Sequence, residues 1–190
     1  MAMFLAGLAI FLGLHSLSIV APGLRDGIAA RLGEGPWKGL YSLLSLAGFV
    51  LLVEGYASAR LSTPVLYSPP QALRYVAIAL MLPVFPLLFA GFLPGRIKAT
   101  LKHPLLVATK AWALAHLLAN GTLLDVILFG SLLAWAVADR IALKRRPARS
   151  LPEAPPGRFN DLIAVGLGLA LYGAFLAGVH RALIGVSPLG

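Results

Sequence analysis

The chain has 190 residues, of which 59% are hydrophobic and only 12% are charged, and its mean hydropathy is +0.87. A soluble domain of this composition could not cover its surface with polar side chains, so the sequence indicates an integral membrane protein. The net charge of +9 does not indicate nucleic-acid binding, because the basic residues lie between apolar segments and no base-stacking or base-reading motif accompanies them. With no cysteine, the chain has no disulfide, thiolate metal site, cysteine haem ligand or cysteine nucleophile.

Six apolar segments approach or exceed the roughly 20 residues that cross a bilayer as a helix. In chain order they are Ala2–Val20, Leu40–Ala57, Ala72–Phe92, Pro104–Ala119, Leu123–Leu143 and Leu162–Ile184. The first segment has no basic start and is long for a cleaved signal, so we expect it to be a retained span. We therefore predict one all-α transmembrane domain of six helices over residues 1–190.

Lys and Arg are divided unevenly between the two sets of predicted loops. Twelve lie in the loops after the first, third and fifth spans, whereas the opposite side carries only Arg60, Arg74 and Arg181. The basic loops are expected to face the cytoplasm, which places both termini in the periplasm of a bacterial inner-membrane protein. Residues 144–159, which include four prolines, are expected to form a flexible cytoplasmic loop.

Local patterns refine these helices. Residues Gly23–Trp37 can form a short surface helix, and Pro83 with Pro86 predicts a kink in the third span. The turn dipeptide Asn120-Gly121 predicts a tight hairpin between the fourth and fifth spans. Small residues at every fourth position predict a helix-packing face on the sixth span: Gly166, Ala170, Ala174 and Gly178.

His116 has the best-supported polar environment of the four histidines. Thr109, Trp112 and Asn120 share its helix face at spacings of seven, four and four residues, so this polar stripe is expected to face the protein interior. An imidazole lined by aromatic rings suits an axial ligand of haem iron. The alternative is a buried hydrogen-bond network between His116 and Asn120.

The other histidines have less specific surroundings. His15 lies in the first span, where it can be a metal ligand or a helix–helix hydrogen-bonding group. His103 precedes Pro104, which predicts a helix cap about 20 Å from His116, too far to share a metal ion. His180 matches the depth of His116 from the periplasmic side better than His15 does, unless the Asn120-Gly121 turn is immersed. The sequence leaves the choice between His15 and His180 open.

Glu54 and Lys110 lie inside the second and fourth predicted spans. Glu54 can pair with Lys110, or with Arg74 across the outer loop, and we expect one of these structural pairs. Lys110 can instead meet an acidic ligand group. No phosphate-binding loop, HExxH or GxSxG motif is present in the sequence, so hydrolysis and phosphoryl transfer have no recognisable catalytic residues.

Two stretches carry a resemblance: RLGEGPWKGLYSLLSLAGFVLLVEGY and HPLLVATKAWALAHLLANG. Together they resemble the NnrU family of bacterial membrane proteins, which is associated with nitrite and nitric oxide metabolism. The NnrU family is similar to 15-cis-zeta-carotene isomerase, a membrane enzyme that contains haem b. Its histidine-serine pair resembles His15-Ser16, its tryptophan-x-x-alanine-histidine resembles Trp112 to His116, and its arginine-histidine-proline resembles Lys102 to Pro104.

The resemblance implies a haem b site. It implies His15 and His116 as the iron ligands, Trp112 packing on the macrocycle and Asn120 orienting His116, with His103, Lys102 and Lys98 available to the propionates. Function would then be isomerase-like or redox-linked chemistry on a lipophilic small molecule within membrane lipid. Two alternatives remain: a non-catalytic accessory protein of nitrite or nitric oxide metabolism, and a membrane methyltransferase, which the histidine-proline motif also resembles.

Overall fold

The computed structural model describes residues 1–145 and 153–189, and nearly all of them are helical. An isolated antiparallel bridge joins Val65 to Thr122, and the described residues form no β-strand. The predicted all-α class is therefore confirmed. Part of the predicted flexible loop at 144–159, residues 146–152, lies outside the described residues.

The first half of the chain contains five helices: α1 (Ala2–Val20), α2 (Pro22–Leu32), α3 (Glu34–Ala59), α4 (Gln71–Met81) and α5 (Val84–Phe92). Proline at the first helical position starts α2, and Gly33, with a φ of 87°, ends it because glycine adopts that conformation without steric penalty. A helix within the predicted range Gly23–Trp37 is thus confirmed only as far as Leu32, since the chain re-enters a helix at Glu34.

Pro83 divides the predicted third span into α4 and α5. Proline has no N–H to donate, and the last amide before it, that of Leu82, donates to the carbonyl of Ala79 only three residues back, at 3.2 Å. The predicted kink is confirmed, and it lies at Pro83, with Pro86 inside α5.

The second half contains α6 (Arg96–Leu101), α7 (Pro104–Ala119), α8 (Leu123–Ala142) and α9 (Asn160–Ala174), then a π-helical segment, Phe175–Val179, and α10 (His180–Ile184). The short helix α6 is absent from our predictions. The hairpin at Asn120-Gly121 is confirmed, because α7 ends just before it and α8 begins three residues after Asn120.

Four helical stretches within the described residues are long and apolar enough to cross a membrane: Ala2–Val20, Glu34–Ala59, Gln71–Phe92 and Asn160–Ile184. They indicate a multi-pass membrane protein. The other two predicted spans differ from these four in length or charge. α7 has only 16 residues, and α8 carries Asp125, Asp139 and Arg140.

The long helices lie in the spatial order α3, α1, α8, α7, α4–α5 and α9. One core joins α1, α3 and α8 around Phe4 and Leu124, which are both fully buried. A second core joins α5 and α7 around Val84, Leu87 and Ala108. The bundle therefore has two packed halves that meet where α8 contacts α7.

The small-residue face of the last span is not the one that we predicted. Gly166 and Ala170 are exposed, and a side chain at Gly166 would meet no atom within 4 Å. Ala164 and Gly168 are buried instead, and a Cβ at Gly168 would lie 2.3 Å from the backbone nitrogen of Pro86. Both stripes have helical spacing, so the sequence pattern alone did not select the one that contacts α5.

The expected pairing of Glu54 is also wrong. Neither Glu54–Lys110 nor Glu54–Arg74 occurs among the ion pairs of the described residues. The physical reason is the helix order, because α1 and α8 lie between α3, which carries Glu54, and the α7 and α4 helices. Glu54 is exposed instead.

Candidate functional site

A cavity of about 460 Å³ lies between α4, α7 and the last helical stretch of the chain. Its volume falls within the range of roughly 300–1,000 Å³ that is usual for small-molecule sites. Most of the wall is aliphatic or aromatic, with a few polar groups. The polar and aromatic lining includes Arg74, Phe85, His116, Asn120, Tyr172, Phe175 and His180.

His116 is held firmly in the wall of this cavity. Its Nδ1–H donates to the carbonyl oxygen of Trp112 at 2.8 Å, and its ring stacks on Phe129 of α8 with 4.6 Å between centroids. The Trp112 ring lies 4.9 Å from the imidazole, and the Asn120 amide donates to the His116 carbonyl at 3.0 Å. With Nδ1 protonated, Nε2 is the ring nitrogen that can accept a proton or bind a metal.

His180 lies in the same cavity and has the same kind of anchor. Its Nδ1–H donates to the carbonyl oxygen of Val186 at 2.8 Å, which also leaves Nε2 as the basic nitrogen. The chain reaches Val186 by turning at Gly185, where φ is 85°. The Arg60 guanidinium fixes this turn by donating to the carbonyl of Ile184 at 2.6 Å. The C-terminal segment thereby forms part of the cavity wall.

The loop between α3 and α4 packs against the α7–α8 turn, beside Asn120. The backbone amides of Leu66 and Tyr67 donate to Gly121 O at 2.8 and 3.1 Å. A Cβ at Gly121 would lie 1.9 Å from the carbonyl oxygen of Tyr67, so only glycine fits there. The Tyr67 hydroxyl donates to the Leu117 carbonyl, and partial burial, helped by the charge of Asp125, raises its pKa.

His15 lies in a different environment. Its Nδ1–H donates to Phe11 O at 2.7 Å, and its ring lies 5.5 Å from that of Tyr41 and 5.9 Å from that of Trp135. Trp135 follows Phe129, the ring that stacks on His116, by six residues along α8. At about 100° and 1.5 Å per residue, the two aromatic rings lie about 120° apart around the helix and about 9 Å apart along it.

The structure therefore does not bring His15 into the cavity that His116 and His180 share. His103 caps the start of α7, as predicted, at the opposite end of that helix from the cavity. Lys102 adjoins this cap, and Lys98 pairs with Glu153 and also donates to the Gly91 carbonyl at 2.9 Å. The three residues that the resemblance offered to the propionates thus cluster far from His116.

The donor set of the cavity suits a cofactor that brings most of its own metal ligands. Within residues 1–145 and 153–189, no group of three or more His, Asp or Glu side chains could hold a bare metal ion. Two imidazoles in a mostly apolar wall have the chemistry to ligate a metal whose own macrocycle supplies the remaining ligands.

Sequence reasoning missed Tyr172 as a lining residue. Tyr172 donates its hydroxyl to the Ile78 carbonyl at 2.8 Å and so joins α9 to α4 across the cavity. It precedes His180 by eight residues, which is a helical spacing, so the same face of the last span could have been read from the sequence. Arg74 was considered only as an outer-loop charge, although it too lines the cavity.

No curated protein and no solved structure matches this chain. The model of the family described as NnrU protein matches residues 3–188, which is nearly the whole length. The match includes every helix above except the first residue of α1. The chain is therefore a member of the NnrU family.

Proposed function

We propose that this NnrU protein binds haem b in the cavity, where His116 and His180 would hold its iron. The observation that carries the proposal is the pairing of these two imidazoles in one cavity, each with Nδ1–H bonded to a backbone carbonyl. A hydrogen bond from the ring nitrogen that does not bind the metal is usual for metal-ligating histidines, because it fixes the tautomer and the ring orientation.

Aromatic and other apolar side chains around the two histidines support this proposal. Phe85 and Phe175, whose rings pack 5.0 Å apart, line the cavity together with Met81. Trp112, which is not among the lining residues, packs on the His116 ring, and Asn120, which also lines the cavity, donates to the His116 carbonyl. These positioning residues would keep the imidazole aimed into the cavity.

Bound haem would supply a redox-active iron centre for isomerase-like or redox-linked chemistry on a lipophilic small molecule. The chain itself contributes binding and orientation. The mostly apolar wall offers few hydrogen bonds to water, and the two imidazoles can each accept a proton at Nε2 or donate an electron pair from it. No carboxylate side chain lines the described part of the cavity, so we assign no acidic catalytic residue there.

The resemblance to the isomerase implies a different pair of iron ligands, His15 and His116. Alanine variants distinguish this pair from the pair of His116 and His180. We would record oxidised and reduced absorption spectra of detergent-purified wild type and of His116→Ala, His180→Ala and His15→Ala, with His103→Ala as the control. We expect a two-histidine haem spectrum that changes in His116→Ala and His180→Ala and persists in His15→Ala and His103→Ala. Loss in His15→Ala with retention in His180→Ala would instead establish the pair implied by the resemblance.

A colourless wild type, purified after growth with ample haem precursor, would refute the haem proposal. The accessory role in nitrite or nitric oxide metabolism would then be the better description, with the histidines acting as packing groups. A spectrum lost in all four variants would indicate general misfolding, so circular dichroism of each variant accompanies the absorption measurement.

We further propose that α7 and α8 also cross the bacterial inner membrane, giving six spans with both termini in the periplasm. The support is the position of α8 between α1 and α7, together with twelve Lys and Arg residues on one side against three on the other. The cysteine-free chain suits a labelling test. In intact cells, Ser68→Cys should react with an impermeant maleimide, whereas Thr100→Cys should react only after lysis. The reverse pattern would invert the topology.

A further inference from the structure

The cavity contains one formal charge among its described lining residues, the guanidinium of Arg74. Arg74 is an exposed residue of the second turn of α4, and the lining continues along that helix to Met81. Seven residues at about 1.5 Å each make an apolar wall of roughly 10 Å behind the charge. The cavity is therefore amphipathic, with a cation at one end.

The other polar side chains of the wall each already share at least one hydrogen bond with the backbone, and Ser187 accepts from Leu189 N at 3.2 Å. His116, His180, Tyr172 and Asn120 each donate to a main-chain carbonyl. Arg74, by contrast, has neither a carboxylate nor a carbonyl partner within residues 1–145 and 153–189, and no acidic side chain lines the cavity. A guanidinium offers five N–H donors, so this one can bind an external acceptor.

The helix to which Arg74 belongs adds to the positive potential. Arg74 is the fourth residue of α4, close to the end where the peptide dipoles of a helix place partial positive charge. A cation is unfavourable at that end unless an anion accompanies it. The first turn of α4 has no acidic residue to play that part.

We propose that the cavity binds a hydrophobic molecule bearing a carboxylate, and that Arg74 holds this carboxylate at the mouth. The inference rests on the proposed ligand-binding role of the cavity and names the acidic group of its ligand. An arginine binds a carboxylate through two parallel hydrogen bonds, which fixes orientation as well as charge. Two sources share this chemistry: the propionates of haem b and the head group of a long-chain fatty acid.

The test titrates the purified full-length chain in a neutral detergent with two acids and their uncharged counterparts. The probes are haem b against its dimethyl ester, and palmitate against hexadecanol. The variants are Arg74→Gln and Arg74→Lys. Arg181→Gln is the matched control, because Arg181 is an exposed arginine that is predicted on the same side of the membrane but does not line the cavity. Tryptophan fluorescence quenching reports binding of haem b and its ester, and isothermal titration calorimetry reports binding of palmitate and hexadecanol.

We expect Arg74→Gln to weaken binding of one acid by roughly tenfold, and Arg74→Lys to weaken it less, because lysine keeps the charge but loses the two-bond geometry. The ester or the alcohol should bind wild type and Arg74→Gln equally, and Arg181→Gln should match wild type for all four probes. An effect confined to haem b identifies propionates, and an effect confined to palmitate identifies a fatty acid.

Equal affinity of wild type for the acid and its uncharged counterpart in both pairs would overturn the inference, even if Arg74→Gln failed to fold. Two further outcomes separate this inference from the haem proposal. A Soret band with unchanged haem affinity in Arg74→Gln and no palmitate binding would remove only the role of Arg74. Arg74-dependent binding of palmitate without any haem binding would remove only the haem proposal.

Discussion

The two halves of the bundle are held together by different means. In the first half, α1 and α3 approach so closely that a Cβ at Gly7 or Gly55 would lie 2.3 Å from a backbone nitrogen of the facing helix. Near the same end, the Tyr56 hydroxyl donates to the buried carboxylate of Asp125 at 2.5 Å and ties α3 to α8. This half has a closed core around Phe4 and Leu124, and its histidine, His15, packs against the rings of Tyr41 and Trp135.

The second half is tied most strongly at the opposite end of the bundle. The Asp161 carboxylate accepts from the backbone amides of Arg96 and Ile97 at 2.8 and 3.1 Å, and the Asn160 amide donates to Pro94 O at 2.8 Å. Away from these ties, α4, α7 and the last helical stretch diverge around the cavity. The comparison shows a closely packed half beside a half that leaves room for a ligand, where the hydroxyl of Tyr172 and the guanidinium of Arg60 link the segments around the cavity.

Among the substitutions considered, Gly55→Ala in the first half is expected to lower the stability of the protein most. The new methyl group would meet Phe4 N at 2.3 Å, which is backbone and cannot rotate away, so α1 and α3 must separate. We expect a loss of about 3 kcal/mol or more in the free energy of unfolding, measured by thermal denaturation in one detergent. Gly39→Ala is the control on the same helix, since nothing lies within 4 Å of that position. Equal melting temperatures for the two variants would contradict the close-packed scaffold.

Asp125→Ala should have the next largest effect. Asp125 is 4% exposed and accepts from Tyr56 and from both the backbone amide and the hydroxyl of Thr122, whose own hydroxyl caps α8. Removing the carboxylate leaves those donors unsatisfied, so we expect a loss of about 2–3 kcal/mol. Tyr56→Phe removes one of these bonds and should cost about 1 kcal/mol.

A double-mutant cycle of these two substitutions decides whether the bond between Tyr56 and Asp125 ties the helices. The combined loss should be smaller than the sum of the separate losses, because the shared bond is counted once. Strict additivity would show that Asp125 stabilises only its own helix and that α3 is held by packing alone.

Asp161→Ala tests the corresponding tie of the second half. The substitution removes two charge-assisted hydrogen bonds from the amides that start α6, so we expect the free energy of unfolding to fall by about 1–2 kcal/mol. Asp161→Asn keeps one acceptor oxygen and should lose less stability. Ligand affinity should change little, since the cavity lies at the other end. If the free energy of haem or fatty-acid binding fell by more than the free energy of unfolding, the two ends of this half would be structurally coupled.

The sequence predicted where the helices lie along the chain better than it predicted which helices pack against each other. Hydropathy over about 20 residues located every long helix, and Pro83 located the kink, because both are local properties. Helix order is not local, so the pairing of Glu54 and the packing face containing Gly166 were wrong. The polar stripe of α7 marked His116, but its neighbour across the cavity depends on where α9 packs. Only the depth comparison favoured His180, and the resemblance favoured His15.

The smallest effects on stability are expected from two surface ion pairs, one chosen from each half. Lys98 is partly buried and bonds both Glu153 and the Gly91 carbonyl, whereas Lys38 lies 3.9 Å from Glu34 with both side chains mostly exposed. We expect Lys98→Ala to cost at most about 1 kcal/mol and Lys38→Ala about half of that or less, because water and salt screen exposed charges. Raising the salt from low concentration to 0.5 M should shrink the Lys98→Ala effect only in part, since the bond to the Gly91 carbonyl is not an ion pair. If high salt removed the whole effect, the carbonyl bond would contribute nothing, and the second half would depend at this end on Asn160 and Asp161 alone.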